Sequence, residues 1–124
     1  MACILIIDDE DALRRIIRDA LEKQDHDVIE ARNGTSALEL FEQHPADLVI
    51  TDIMMPESDG IETIIALRRK EPGIPIIAIS GGGRVGDTNY LTLAEKLGAT
   101  QVLTKPFRRQ QLVDAVRESL AADT

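Results

Sequence analysis

This sequence contains few aromatic residues, one cysteine and no long apolar segment. With no tryptophan, one tyrosine and two phenylalanines, its core has to be filled by aliphatic side chains. The single Cys3 cannot pair within the chain, and because it lies in an apolar run we expect a buried thiol rather than a reactive one. No segment reaches the roughly 18 apolar residues that a membrane span needs. Asp8, Asp9 and Glu10 interrupt the apolar start, which argues against a secretory signal peptide and favours a cytoplasmic location.

Basic residues are also scarce, since 14 lysines and arginines face 22 aspartates and glutamates, for a formal charge of −8. That excess of negative charge argues against direct binding to nucleic acid or to an anionic membrane. At 124 residues the chain is long enough for one core and too short for two. We therefore expect a single domain over residues 1–124.

Apolar segments rich in β-branched residues alternate five times with segments of helical periodicity. The predicted strands cover 3–7, 28–31, 47–51, 74–79 and 102–104, and the predicted helices 13–21, 36–43, 59–71, 87–97 and 108–121. The buried stripe expected on the first helix consists of Leu13, Ile16, Ile17, Ala20 and Leu21. Strict alternation predicts a parallel sheet with helices on both faces. The expected fold class is α/β, a (βα)5 flavodoxin-like three-layer sandwich whose five-stranded parallel sheet has the order 2-1-3-4-5.

Polar side chains stand at the carboxyl ends of four of the five predicted strands. Asp8 and Asp9 follow the first strand, Asp52 the third, Ser80 the fourth and Lys105 the fifth. In an open parallel sheet these ends line one crevice, where ligands bind. Clustered carboxylates need a cation, oxygen ligands suit Mg²⁺, and a carboxylate beside such a metal can attack phosphorus. Each residue alone has a simpler explanation, such as a helix N-terminus or a solvated charge, but their joint placement favours one site for phosphoryl transfer.

The same positions carry a resemblance to a known family. The motifs are Ile-Leu-Ile-Ile-Asp-Asp-Glu over 4–10, Asp52-Ile-Met-Met-Pro56 followed by Asp59-Gly60, Ser80, and Leu-Gly-Ala over 97–99 leading to Leu-Thr-Lys-Pro-Phe over 103–107. With them, the chain from about Ile4 to Leu120 resembles the receiver domains of two-component response regulators, such as the chemotaxis regulators. The resemblance implies a signalling domain that accepts a phosphoryl group from a histidine kinase or phosphotransfer protein and later loses it. It does not imply a conventional metabolic enzyme.

The resemblance also implies a role for each acidic residue. Asp52 would be the phosphoacceptor and would bind Mg²⁺ (or Mn²⁺) together with Asp9 and the backbone carbonyl of Met54. Asp8 would act on the metal mainly through water. These assignments follow from matching positions in the family motif.

Two further residues would meet the phosphoryl group. The resemblance implies that Lys105 contacts it and that Ser80 moves to hydrogen-bond it. The peptide bond between Lys105 and Pro106 is expected to be cis, as is usual in this family and as suits a proline at a tight turn.

Partner surfaces are implied as well. Five residues match the surface by which the family docks its histidine kinase: Leu13, Arg14, Ile17, Pro106 and Phe107. Core packing explains Ile17 equally well. Tyr90 would lie on the face formed by the helix over 87–97, strand five and the last helix. Relatives use that face for dimers or output, so a downstream effector protein or a C-terminal output domain is an expected partner, and simple packing is an equal alternative for Tyr90.

Three features depart from the family pattern. Val102 replaces an aromatic residue whose ring rotation usually accompanies the hydroxyl movement. The segment 81–86 contains four glycines and is costly to order, so we hypothesise that phosphorylation orders it. Met54 and Gly82 offer no polar side chain at positions that tune the lifetime of the phosphoryl group.

Two other functions stay open. A degenerate receiver would act as a constitutive interaction module, although the complete set of site residues speaks against it. A metal-dependent phosphohydrolase with an aspartyl nucleophile would usually carry a second carboxylate two residues after that nucleophile. This chain has Met54 there.

Overall fold

The computed structural model describes residues 2–53, 60–81 and 98–122, which form five strands and four helices. The strands are β1 (Cys3–Ile7), β2 (Asp27–Ala31), β3 (Leu48–Asp52), β4 (Ile76–Gly81) and β5 (Gln101–Lys105). The helices are α1 (Asp11–Glu22), α2 (Gly34–Gln43), α3 (Gly60–Lys70) and α4 (Arg109–Ala122). The helix predicted over 87–97, and the glycine-rich segment after Gly81, lie outside the described residues. Within the described ranges, no helix is both long and apolar enough to cross a membrane.

All five strands pair in parallel in one sheet with the order β2-β1-β3-β4-β5. The predicted order is therefore confirmed. Ile7 of β1 pairs with Ala31 on one side and with Thr51 on the other. The direction of the strand order reverses beside β1, because the chain passes first to β2 and then back to β3. At such a reversal, the carboxyl ends of two adjacent strands open a crevice for ligands.

Side-chain alternation along β1 divides the core into two layers. Leu5 and Ile7 pack with buried residues of α2 and α3, whereas Ile4 and Ile6 pack with those of α1 and α4. These four side chains are at most 1% exposed, and full burial of each stabilises the fold by about 1.5–3 kcal/mol. Phe41 is the only aromatic residue in the buried core of the described ranges, which confirms the aliphatic core expected from the composition.

The buried face of α1 differs from the predicted one. Ile16 is 62% exposed, so its assignment to the buried stripe is wrong. The inward face of the helix carries Arg14, Ile17, Ala20 and Leu21 instead. Apolar periodicity missed this rotation of the helix because an arginine occupies one of the inner positions.

Cys3 is half-buried rather than fully buried. It opens β1, where its backbone N–H donates to Oδ2 of Asp47 over 2.8 Å. Burial, together with the nearby charges of Asp47 and Asp27, raises the pKa of the thiol above its usual value. The thiolate is the nucleophile, and a raised pKa lowers the fraction of thiolate at neutral pH. We therefore still expect an unreactive thiol.

Helix starts are set by local hydrogen bonds that shift the predicted boundaries. The side-chain oxygen of Asn33 accepts from the N–H of Ser36 over 2.8 Å. It therefore acts as the N-cap of α2, which begins two residues before the predicted start. At the last helix, Oε1 of Gln111 accepts from the N–H of Arg108 over 2.7 Å.

Arg68, in the last turn of α3, ties that helix to the chain leading into β4 and β5. Its guanidinium donates to the backbone carbonyl of Pro72 over 3.0 Å and to those of Ile74 and Gly98. Gly98 has a φ of +100°, and a Cβ built on it would lie 3.1 Å from Nε of Arg68. The left-handed backbone and the close guanidinium both favour glycine at this position.

Candidate functional site

The carboxyl ends of β1, β3 and β5 bring together the residues singled out in the sequence. Asp8 directly follows β1, and Asp52 is the last residue of β3. Because Ile7 pairs with Thr51, Asp8 and Asp52 stand side by side one residue further on. Lys105 ends β5, two strands away from β3. The shared placement at strand ends, expected from the sequence, is confirmed by this geometry.

Asp8, Asp9 and Asp52 form what we call the acidic cluster. One carboxylate oxygen of each lies within 4.8 Å of the others. Asp8 and Asp52 are buried, whereas Asp9 is exposed. Oδ2 of Asp8 is buried and has no hydrogen-bond partner among the described residues. Repulsion between such close charges and the cost of an unsatisfied buried oxygen both fall when a cation binds.

The donor set of the acidic cluster fits a hard divalent cation. It consists of carboxylate oxygens on adjacent strand ends, and Mg²⁺ prefers oxygen ligands and takes only one or two carboxylates directly. The unsatisfied Oδ2 of Asp8 supports the fit. Met54, whose backbone carbonyl the family resemblance adds to the ligands, lies outside the described residues.

Among the residues that the structure describes, Lys105 is the basic side chain that reaches the acidic cluster. Its Nζ lies 3.0 Å from Oδ2 of Asp52 and 3.9 Å from Oδ2 of Asp8. The same Nζ lies 3.4 Å from Oε1 of the exposed Glu10. One ammonium therefore faces several carboxylates, and the site carries excess negative charge.

The charge imbalance is visible in two pKa values. Burial raises the pKa of Asp8 to about 6, and the charge of Asp52 adds to this effect while the hydrogen bond from the N–H of Glu10 partly offsets it. Burial would lower the pKa of Lys105, but its hydrogen bond and charge interaction with Asp52 outweigh burial and raise it. Lys105 is therefore a stable cation at neutral pH.

Ser80 lies on β4, the strand next to that of Asp52, and Val102 lies on β5, one strand further on. Ser80 is fully buried on β4, and its hydroxyl has no hydrogen-bond partner among the described residues. Val102 on β5 pairs with Ala78, is half-buried and packs against the core layer of α2 and α3. The Lys105–Pro106 bond is cis, as expected.

A second group of charges lies between α1 and β2, and we call it the α1–β2 network. Its members are Asp11, Arg14, Arg18, Glu22 and Glu30. Arg14 donates to Asp11 and, over 3.0 Å, to Glu30. Arg18 donates to Glu30 over 2.6 Å and to Glu22 over 3.2 Å. Burial alone would raise the pKa of Glu30, but its hydrogen bonds with Arg18 and Arg14 lower it.

The residues predicted to dock a kinase differ in their exposure. Ile17 is fully buried in the core, which favours the packing alternative, and Arg14 is only 9% exposed, so neither presents much surface for docking. Leu13 and Phe107 are half-buried and pack against the core layer of α1 and α4, while Pro106 is exposed. Only the last three offer surface to a partner. Tyr90 and Gly82 lie outside the described residues.

Sequence reasoning missed two contacts at the site. Glu10 follows the acidic pair directly, so its position in the motif was a usable signal for a contact with Lys105. Arg14 is different, because its partners lie on another strand and on a backbone carbonyl. The signal in the sequence would have been the inward position of Arg14 on α1. Apolar periodicity instead places Ile16 on the buried face.

Comparison with known proteins gives consistent matches. Residues 4–117 match the family model described as the response regulator receiver domain. The chain is 34% identical over 119 residues to the chemotaxis protein CheY of Halobacterium salinarum, covering 96% of this chain and 97% of that protein. It is 39% identical over 117 residues to the probable transcriptional regulator ycf27 of Porphyridium aerugineum, covering 94% of this chain and 47% of that protein.

Solved structures agree with these matches. A crystal structure of a response regulator receiver domain protein from Clostridium thermocellum superposes with a TM-score of 0.90 at 31% identity. The superposition covers 98% of this chain and 96% of that one.

Proposed function

This chain belongs to the response regulator receiver domain family, and on that basis we propose that it accepts a phosphoryl group on Asp52 from a phosphohistidine. The donor is a histidine kinase or a phosphotransfer protein. The observation that carries the proposal is the buried Asp52 carboxylate, whose Oδ2 lies 3.0 Å from Nζ of Lys105, inside the acidic cluster. In the reaction an Asp52 oxygen forms the new P–O bond. The P–N bond of the donor breaks, and its electron pair stays on the imidazole.

Lys105 and Ser80 stabilise the transferred group. Asp52 loses its carboxylate charge when it is phosphorylated, so Lys105 then pairs with a phosphoryl oxygen instead. The Ser80 hydroxyl, which has no partner among the described residues, donates a hydrogen bond to another phosphoryl oxygen. Both groups lie on strands that follow Asp52 in the sheet order.

The acidic cluster supplies the metal site of this proposal. Asp9 and Asp52 would hold Mg²⁺ or Mn²⁺ directly, with the backbone carbonyl of Met54, and Asp8 through water. The bound cation would neutralise charge between the carboxylates and the incoming phosphoryl group. Asp8, whose N–H, carbonyl and Oδ1 are hydrogen-bonded, would orient water bound to the cation.

The phosphorylated domain acts as a switch rather than as a metabolic enzyme. Slow hydrolysis of the aspartyl phosphate within the domain returns it to the starting state. The partner is an effector protein, an output domain or a second copy, bound through β5, α4 and the helix predicted over 87–97. Family membership supports this role and a cytoplasmic setting. Since Val102 packs against the core where an aromatic residue is usual, the switch has to repack another side chain.

The test is incubation with acetyl phosphate and Mg²⁺, followed by intact-mass measurement. Wild type should gain one phosphoryl group, and Asp52→Asn should gain none. Glu42→Gln, at an exposed carboxylate paired with Lys70, is the matched control and should behave as wild type. Failure of wild type to bind Mg²⁺ or to gain mass would indicate a degenerate receiver. Continuous turnover of small phosphate esters would indicate a phosphohydrolase.

A further inference from the structure

Arg14 contacts the chain segment that carries the acidic cluster. Its Nη1 donates to the backbone carbonyl of Asp8 over 2.6 Å, in a buried hydrogen bond. That carbonyl belongs to the peptide unit joining Asp8 to Asp9. A hydrogen bond that fixes the plane of this peptide also fixes the Cα of Asp9, to which the Asp9 side chain is attached.

The Asp8 residue is held at three of its four polar atoms. Its N–H donates to the carbonyl of Ala31 over 3.1 Å, its carbonyl accepts from Arg14, and its Oδ1 accepts from the N–H of Glu10 over 2.8 Å. The remaining atom, Oδ2, is the buried oxygen without a hydrogen-bond partner among the described residues. This oxygen lies 3.9 Å from Nζ of Lys105 and is available to a ligand.

Arg14 is itself held firmly. Its side chain is 10% exposed, and its other nitrogens bind Glu30 and Asp11. Glu30 is adjacent in β2 to Ala31, the residue that accepts from the Asp8 N–H. The backbone N–H of Asp8 therefore binds the end of β2 directly, and its carbonyl is connected to the same end of β2 through Arg14. The planar guanidinium holds its acceptors at fixed angles.

From these contacts we propose that Arg14 is a positioning residue for the divalent-cation site. It orients the Asp8–Asp9 peptide so that their carboxylates converge with Asp52 before the metal arrives. Groups that hold metal ligands from behind in this way typically contribute about 10–100-fold to metal affinity. The inference rests on the proposed function, because it assumes that the acidic cluster binds a metal.

The experiment measures Mn²⁺ binding to the unphosphorylated protein by electron paramagnetic resonance of the free ion. Arg14→Met should weaken binding by about 10-fold or more. Arg18→Met is the matched control. It removes a guanidinium that binds the same Glu30 carboxylate, whereas the hydrogen bond to the Asp8 carbonyl comes from Arg14. Its affinity should equal that of wild type. Arg14→Lys, which keeps one donor on a long stem, should bind with an affinity between those of wild type and Arg14→Met.

Urea unfolding of each variant separates positioning from general stability. If Arg14→Met binds Mn²⁺ as wild type does, or if Arg18→Met weakens binding equally, the inference is overturned. Should Arg14→Met fail to fold, Arg14→Lys is compared with Arg18→Lys, and equal affinities overturn it. A wild-type protein that binds no Mn²⁺ would refute both the inference and the proposed function. Normal wild-type binding with an unaffected Arg14→Met refutes the inference alone.

Discussion

The acidic cluster and the α1–β2 network meet at Asp8, yet they balance charge in opposite ways. In the network every carboxylate has an arginine partner, and the pKa values of Asp11 and Glu30 are lowered. In the cluster one lysine faces several carboxylates, Oδ2 of Asp8 has no hydrogen-bond partner among the described residues, and the pKa of Asp8 is raised to about 6.

The contrast indicates which group of charges is built for stability and which for binding. A satisfied network lowers the free energy of the folded protein as it stands. An unsatisfied cluster raises the free energy of the folded protein, and this cost is offset only when a ligand binds. Placing the two side by side allows the first to hold the second in position.

The largest effect is expected from removing the cation that faces the cluster. Lys105→Met should slow phosphorylation by acetyl phosphate by about 100-fold, because no ammonium then stabilises the developing phosphoryl charge. Intact-mass time courses measure the rate. Lys70→Met removes an exposed lysine paired with Glu42 and should leave the rate unchanged. Equal rates for Lys105→Met and wild type would contradict the role assigned to Lys105.

The next effect concerns stability without metal. Asp8→Asn should raise the free energy of unfolding by about 1–3 kcal/mol at about pH 7, because it removes a buried charge from the cluster. Since folding raises the pKa of Asp8 from 3.8 to about 6, the wild type loses stability as the pH rises through this interval. The advantage of the variant should therefore be small near pH 3.8 and complete somewhat above pH 6. Urea titrations across this range measure it, and a destabilised Asp8→Asn would disprove the charge argument.

The same chemical change in the network should have the opposite sign. Glu30→Gln should lower the free energy of unfolding by about 1–2 kcal/mol, because Arg14 and Arg18 lose a shared carboxylate. Folding lowers the pKa of Glu30 below its usual 4.5, so its contribution is present above that pH and is lost as the pH falls through the lowered value. Urea titrations at several pH values check this. If both amide variants shifted stability in the same direction, the distinction between the two groups would fail.

The smallest effect is expected at the rim of the network. Glu22 pairs with Arg18, and both side chains are more than 40% exposed. Glu22→Gln should change the free energy of unfolding by less than about 0.5 kcal/mol. Urea unfolding in low and high salt measures it. A loss as large as that of Glu30→Gln would show that exposure does not separate the two carboxylates.

Apolar patterning was sufficient for the sheet and for most of the site. β1 was predicted with its observed bounds because a continuous aliphatic run between polar residues leaves little choice of length. Asp52 and Lys105 were identified because each ends such a run, and parallel strands place their ends together. These features depend on local sequence and on one topological rule.

The orientation of α1 was not predictable in this way. Ile16 was assigned to the buried face, but Arg14 takes an inner position because its guanidinium finds a backbone carbonyl and two carboxylates there. Those partners come from distant positions in the chain. A hydrophobic periodicity cannot register a polar side chain whose burial is compensated by tertiary hydrogen bonds.

Gly98 shows how geometry alone can restrict a position far from any chemistry. A residue with a Cβ there would have to adopt a left-handed backbone and shift the Arg68 guanidinium, which binds the carbonyls of Pro72, Ile74 and Gly98, by a few tenths of an ångström. Substitution would thus disturb two connections at once, one into β4 and one into β5. Sequence drift in this domain is therefore expected to spare position 98, even though it lies outside the acidic cluster.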